Sequence, residues 1–347
     1  MHQAIRELRY DKITVVGAHD RSSRSEIFIG EKRDKAFNWQ RPTAVLVGNE
    51  LRIQCFPGYD HVEHYAELIA TYLEIQQTNG FKSSPLTSLV TFIPPSCSDT
   101  QKALRATNLN DLPQNFDTVV LGLVHRLERL TGVTDWQGNE DDAFGWAVKR
   151  FNNRVVAFVG FRASFWGDIS REVVHYLARS HQVREVVYFG KLGSVKKGIR
   201  PNNHLATGGR SYVDGKLVQW QNTLEASIAL LASKHTITGT HITLGSVLHE
   251  TKDWLSSLPA SVDFVDPEVG MMAQAAVRSG IDFGYLHIIS DNVAEKYTED
   301  LSNEREQSVL VGRSHLYELV QDVLQHHLSA GMLEVETTQT GLPQQNA

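Results

Sequence analysis

From residue 117 onward the chain alternates short apolar runs with longer amphipathic stretches, and that alternation restricts the possible folds more than any other feature. Asp117-Thr118-Val119-Val120-Leu121-Gly122 and Arg154-Val155-Val156-Ala157-Phe158-Val159-Gly160 read as strands. A helix is predicted over 169–179, with Ile169, Val173, Val174 and Leu177 at helical spacing and Asp168 before it as a cap. Residues 185–190 form another strand, closed by a Lys191-Leu192-Gly193 turn. Later strands are predicted at 216–220, 241–244, 262–265 and 285–289, and helices at 223–233, 267–278 and 311–328. Strands alternating with helices imply an α/β domain whose central sheet is covered on both faces.

The first 110 residues read differently. Strand-like pieces lie at 13–16, 26–29, 44–47, 51–56 and 88–93, and one amphipathic helix spans 61–77 with Val62, Tyr65, Ile69, Tyr72 and Leu73 on a stripe. This is expected to be a smaller α+β unit of unassigned role. Pro94-Pro95 and the polar stretch 96–115 read as a linker to a domain over 116–330, and 334–347 as a disordered tail.

A net charge of -6 and the lack of a Lys/Arg block exclude a broad nucleic-acid surface, so a small molecule in a pocket is the expected ligand. No apolar run approaches the roughly 18–20 residues that cross a bilayer, and the first residues lack the apolar core of a secretory signal. Two cysteines, Cys55 and Cys97, build no disulfide framework, which points to a cytoplasmic protein with both thiols buried. Fifteen histidines show no metal-ligand spacing: His241, His249 and His287 lie on separate segments, and His326-His327 reads as a surface pair.

In open α/β sheets, ligands gather at the carboxyl ends of strands. Three pieces of this sequence are such ends: Val265-Asp266-Pro267-Glu268-Val269-Gly270 running into a helix, Ile288-Ile289-Ser290-Asp291-Asn292, and Tyr188-Phe189-Gly190-Lys191-Leu192-Gly193. In order and spacing they resemble the nucleoside phosphorylase and nucleosidase superfamily, which includes purine nucleoside phosphorylases and methylthioadenosine/S-adenosylhomocysteine nucleosidases. The superfamily shows a Met-Glu motif opening a helix and then a strand ending in Ser-Asp. Here Glu268 and Asp291 stand 23 positions apart, and Gly280-Ile281-Asp282-Phe283 matches the turn into that strand. The resemblance spans about 116–328 and implies a three-layer domain with a central mixed sheet.

The chemistry explains the residue types. Breaking an N-glycosidic bond builds positive charge on the sugar and negative charge on the departing base. A carboxyl group beside the base protonates or hydrogen-bonds the leaving group, and needs a proton held near neutrality by burial. The resemblance gives that role to Asp291, and gives Glu268 the role of accepting hydrogen bonds from the ribose hydroxyls. Asp266 reads as the cap of the following helix.

Other positions depart from the superfamily pattern. Gly122-Leu123-Val124-His125-Arg126 keeps the spacing of a phosphate-binding Gly-x-x-x-Arg, Lys191 replaces an expected hydroxyl residue, and Tyr188 stands where many phosphorylases carry Arg. Glu128 stands one position from the acid with which nucleosidases activate water. Arg162, in the loop 160–167, is a further candidate for the phosphate or water site, and Phe165 and Trp166 are candidate pocket walls. Leu248, Phe264 and Ser290 are candidates for the base pocket. The resemblance implies no metal or cofactor beyond phosphate as a co-substrate, and a homo-oligomer. The expected function is cleavage of a purine-type nucleoside by phosphate or water. The alternatives are a nucleotide-acting enzyme similar to AMP nucleosidases and a non-catalytic nucleoside-binding regulatory protein.

Overall fold

The computed structural model describes residues 1–78, 89–114, 116–132, 135–299, 301, 303 and 306–330; the tail expected to be disordered lies outside them. The fold is α/β, with mixed sheets flanked by helices. A five-stranded sheet has the order Asp282–Tyr285, Glu185–Phe189, Thr118–Gly122, Arg154–Phe161 and Phe144–Phe151. An eight-stranded sheet runs Lys216–Gln219, Arg210–Val213, Thr240–Thr243, Val262–Asp266, Lys191–Ser194, His287–Asn292, Leu205–Thr207 and Thr236–Thr238.

Two adjacent chain segments belong to both sheets. Glu185–Phe189 passes through Gly190 into Lys191–Ser194, and Asp282–Tyr285 passes through Leu286 into His287–Asn292. The segments pair in parallel before and after the bend. The bend itself is held by Leu286 N–H to Tyr188 C=O (3.2 Å), Ile288 N–H to Gly190 C=O (3.1 Å) and Gly190 N–H to His287 Nδ1 (3.2 Å). The turn expected at Lys191-Leu192-Gly193 is therefore a strand, and the single strand expected at 285–289 is two. Apolar runs alone do not show where one strand leaves a sheet for another.

Helices Asp168–Ser180 and Val269–Ser279 bury Ile169, Val173, Leu177, Met272 and Ala276 in one core, with Phe283 and Tyr285 of the sheet. Helices Glu225–Leu231 and Gln307–Ser329 enclose a second core around Val120, Phe158, Val187 and Leu324. His326 is exposed, as expected of a surface pair, and bonds Ser227 at 2.9 Å, while His327 is half-buried and bonds Glu185 at 2.7 Å. No helix among the described residues is long and apolar enough to cross a membrane.

The N-terminal residues build a four-stranded sheet, Thr43–Val47, Glu50–Gln54, Lys12–Val16 and Val90–Ile93, against helix Tyr59–Thr78. The strand expected at 26–29 reduces to one bridge, Glu26 to Ala44, and Ile29 is 81% exposed. The expected linker is also structured. Its helix Cys97–Arg105 opens on a capping box between Ser96 and Asp99, and Leu104, Leu109 and Leu112 are buried in the main core. Leu104 on the helix and Leu109 and Leu112 just after it anchor the segment, although its mean polarity reads as loop. Cys97 lies on this helix's exposed face, contrary to the expected burial, while Cys55 is buried.

Asp168 caps a helix, but not its own. Its carboxylate accepts hydrogen bonds from the Tyr59 and Asp60 amides at 3.0 and 3.3 Å, at the start of Tyr59–Thr78. Asp60 Oδ2 in turn accepts from the Asp168 amide at 2.9 Å. Two helix N-termini meet head to head, and each supplies the acceptor for the other's free N–H groups.

Candidate functional site

At the bend between the sheets lies a cavity of about 280 Å³, enough for a small organic ligand. Its floor is the switch segment Tyr188–Gly193, and Glu268, Ser290, Asp291 and Glu250 bring oxygen atoms to it. Phe161, Phe165 and Trp166 supply aromatic wall. The cavity thus sits at strand carboxyl ends, where the sequence placed it.

Glu268 stands at the N-cap position of Val269–Ser279 and is 6% exposed. Asp266 Oδ1 accepts from the Glu268 and Val269 amides, each at 2.9 Å, which is the capping role expected of it. Burial raises the Glu268 carboxyl well above the usual range, and the nearby charges of Asp266 and Asp60 add to this. Hydrogen bonds from the Gly167 amide and the Tyr188 hydroxyl act the other way. The balance of these effects leaves the carboxyl raised.

Behind the floor, Asp266 is buried between two histidines, with His241 Nε2 at 2.9 Å and His287 Nε2 at 3.7 Å. Burial pushes His287 down to about 4, so this ring is neutral. Because its Nδ1 accepts the Gly190 amide, its proton sits on Nε2, facing Asp266. Despite burial, Asp266 stays below the usual carboxylate range because of His241 and His287. Among the described residues no group of three or more His, Cys, Asp or Glu side chains could hold a metal ion.

Asp291 is half-buried, and its Oδ1 accepts the Ser290 hydroxyl at 2.7 Å. Its other oxygen lies over Gly193, where a Cβ would stand 2.7 Å from Oδ2, so a side chain there would displace the carboxyl group. Glu250, which the sequence reading missed, lines the same cavity. Burial, and then the charge of Asp291, push it up to about 7. Lys191 is the one cationic side chain among the cavity's lining residues.

The N-terminal residues reach this cavity. Phe37 and Asn38 line it, with Phe37 packed where Gly145 and Gly160 leave no Cβ. The Asn38, Trp39 and Gln40 amides bond Phe161 C=O or Arg162 C=O at 2.8–3.0 Å. His64 stacks on Trp166 with ring centroids 4.6 Å apart, and its Nδ1 lies 2.9 Å from the Ser246 hydroxyl. Glu67 meets His249 at 2.7 Å. Nothing in residues 37–38 or 61–67 signals such a role locally, because each contact joins segments more than 100 residues apart.

Five candidate residues lie outside the cavity lining. Val124, Leu127 and Leu130 are buried in the core that Gln307–Ser329 helps to form, which turns Arg126 and Glu128 to the exposed face; Arg126 stacks on Tyr317. Arg162 is 6% exposed and donates to the carbonyls of Phe144, Gly138 and Asp142, so its guanidinium braces a loop. Phe264 is fully buried in the core, and Val265 lines the cavity instead. Leu248 is likewise replaced by Val247, its neighbour in the turn Val247–His249. In a strand a shift of one residue reverses the face that a side chain presents, and in a tight helical turn it rotates it by about a third of a turn.

No family model and no curated protein matches this chain. Among solved structures, the chain is similar to the 5'-methylthioadenosine/S-adenosylhomocysteine nucleosidase of Campylobacter jejuni, at 11% identity and a TM-score of 0.49, covering 61% of this chain and 100% of that one. It is similar to the futalosine hydrolase of Helicobacter pylori at 14% identity and a TM-score of 0.48, covering 61% and 98%. A 5'-methylthioadenosine/S-adenosylhomocysteine nucleosidase from S. pneumoniae, solved with a transition-state inhibitor, shows 18% identity and a TM-score of 0.47, covering 61% and 99%. Each likeness covers nearly all of the other protein and about three fifths of this one.

Proposed function

We propose that this cavity binds a purine-type nucleoside and breaks its N-glycosidic bond, releasing the free base. The observation that carries this reading is the meeting of Glu268 and Asp291, from two different strand ends, in one aromatic-walled cavity. Asp291 faces the base and stabilises it as it departs. Glu268 takes the ribose hydroxyls, accepting hydrogen bonds from them. The Tyr188 hydroxyl holds that carboxyl from below. As positive charge builds on the sugar, the accepting oxygens of this carboxyl group stabilise it.

Lys191 favours an anionic group on the opposite side of the sugar, either phosphate as co-substrate or the phosphate of a nucleotide. Incubation with nucleosides and nucleotides, with and without inorganic phosphate, separates the cases by base release. Phosphate-dependent release from a nucleoside marks phosphorolysis, and release from a nucleotide alone marks the second reading. Asp291→Asn is expected to lower kcat for base release by about 100-fold or more while the protein stays folded. Unchanged turnover in that variant would sink the assignment, and tight binding without release from any substrate would favour a regulatory protein.

A further inference from the structure

Glu250 follows the short turn Val247–His249, which is pinned from both sides to helix Tyr59–Thr78 by Ser246–His64 (2.9 Å) and His249–Glu67 (2.7 Å). The turn therefore holds Glu250 at the cavity wall. No described residue donates a hydrogen bond to its carboxyl, whereas Asp291 has the Ser290 hydroxyl. A half-buried glutamate with a structural task would have a partner. This one faces the ligand space and a second carboxylate.

We infer that Glu250 is a second catalytic carboxyl on the leaving-base side, sharing one proton with Asp291 and delivering it to the base as the bond breaks. The inference rests on the nucleoside-cleaving reading of the cavity. Two like charges in one partly dry cavity do not both ionise, so one proton remains on the pair. It is carried by Glu250, whose carboxyl is pushed up to about 7 by burial and by Asp291, while Asp291 accepts the Ser290 hydroxyl. The other titratable groups around the cavity include Glu268 and Asp266 across the floor and Lys191 on the switch strand; His249, beside Glu250, is turned to Glu67.

In the step itself, the Glu250 proton moves to a ring nitrogen of the base and the C–N electron pair goes with the base. An oxygen of water or phosphate bonds to the anomeric carbon. Attacking water sheds its proton to solvent, and Glu250 regains one from solvent, so charge and protons balance.

The test compares a purine nucleoside with 4-nitrophenyl riboside, whose phenolate departs without a proton. Glu250→Gln is expected to lower kcat/KM on the nucleoside by about 100-fold or more, and on the nitrophenyl riboside by less than about 3-fold. Equal losses on both substrates, or no loss on either, would overturn the inference. A second readout is independent of turnover. In 13C-glutamate NMR, one carboxyl should titrate near 7 in the wild type, vanish in Glu250→Gln and move to lower pH in Asp291→Asn. A Glu250 signal that titrates in the ordinary range, or ignores the Asp291 substitution, overturns it as well. If the wild type cleaves neither substrate, the nucleoside-cleaving reading fails, and the titration still decides whether the pair shares a proton.

Discussion

The carboxyl groups around this cavity are set apart by their neighbours. Glu268 is dry and braced by a tyrosine hydroxyl, Asp266 is held ionised between two histidines, and Asp291 leans on a serine. Glu268→Gln keeps the shape and removes the ionisable proton; it is expected to lower kcat/KM for base release about 10- to 100-fold, checked by steady-state kinetics alongside a thermal melt. Gly193→Ala tests the placement of Asp291 from the other side. A methyl group 2.7 Å from Oδ2 forces that carboxyl to move, so turnover should fall while melting changes little. That Glu268 and Asp291 line one cavity was legible because each follows a strand, in an order and spacing that resemble a known superfamily. Glu250 was not, because it follows an irregular turn and faces the cavity only through packing against a distant helix.

Among the elements, the head-to-head helices Tyr59–Thr78 and Asp168–Ser180 carry the sharpest consequence. Asp168→Ala removes the acceptor for two amides of the opposite helix and is expected to cost about 1–2 kcal/mol in urea unfolding. Removing a cap on its own helix would leave Tyr59–Thr78 untouched, so amide exchange at Tyr59 and Asp60 should rise first. Most strands and helices were readable from periodicity. What periodicity missed was pairing at long range: the cap partner lies 108 residues away, and the sheet switch at Gly190 is decided by which neighbour accepts each backbone bond. The strand Phe144–Phe151 was missed too, since its alternation breaks at Val148-Lys149-Arg150, which run out toward solvent at the sheet edge.

For the whole molecule, buried titratable groups pull stability in opposite directions with pH. Burial holds His61 at about 3 and His287 at about 4 in the fold, against 6.5 in the open chain. Their contribution is full above 6.5 and is lost as pH falls toward those values. Asp60, pushed up to about 6 from 3.8 by burial and by Asp168, works in reverse: its contribution is full below 3.8 and is lost as pH rises through about 6. Asp60→Asn, a neutral stand-in that still accepts the Asp168 amide, should therefore match the wild type near pH 4. At pH 8 it should be more stable by about 1–3 kcal/mol, read from urea midpoints at the two pH values.

Phe37 lies far from the cavity in the chain and still forms part of its wall, filling the notch left by Gly145 and Gly160. Excising the first 110 residues would therefore not trim an accessory from a self-sufficient enzyme. It would open the side of the binding site, strip one cap from Asp168–Ser180 and release the loop that carries Glu250. The cavity wall is thus shared between segments from the two ends of the chain.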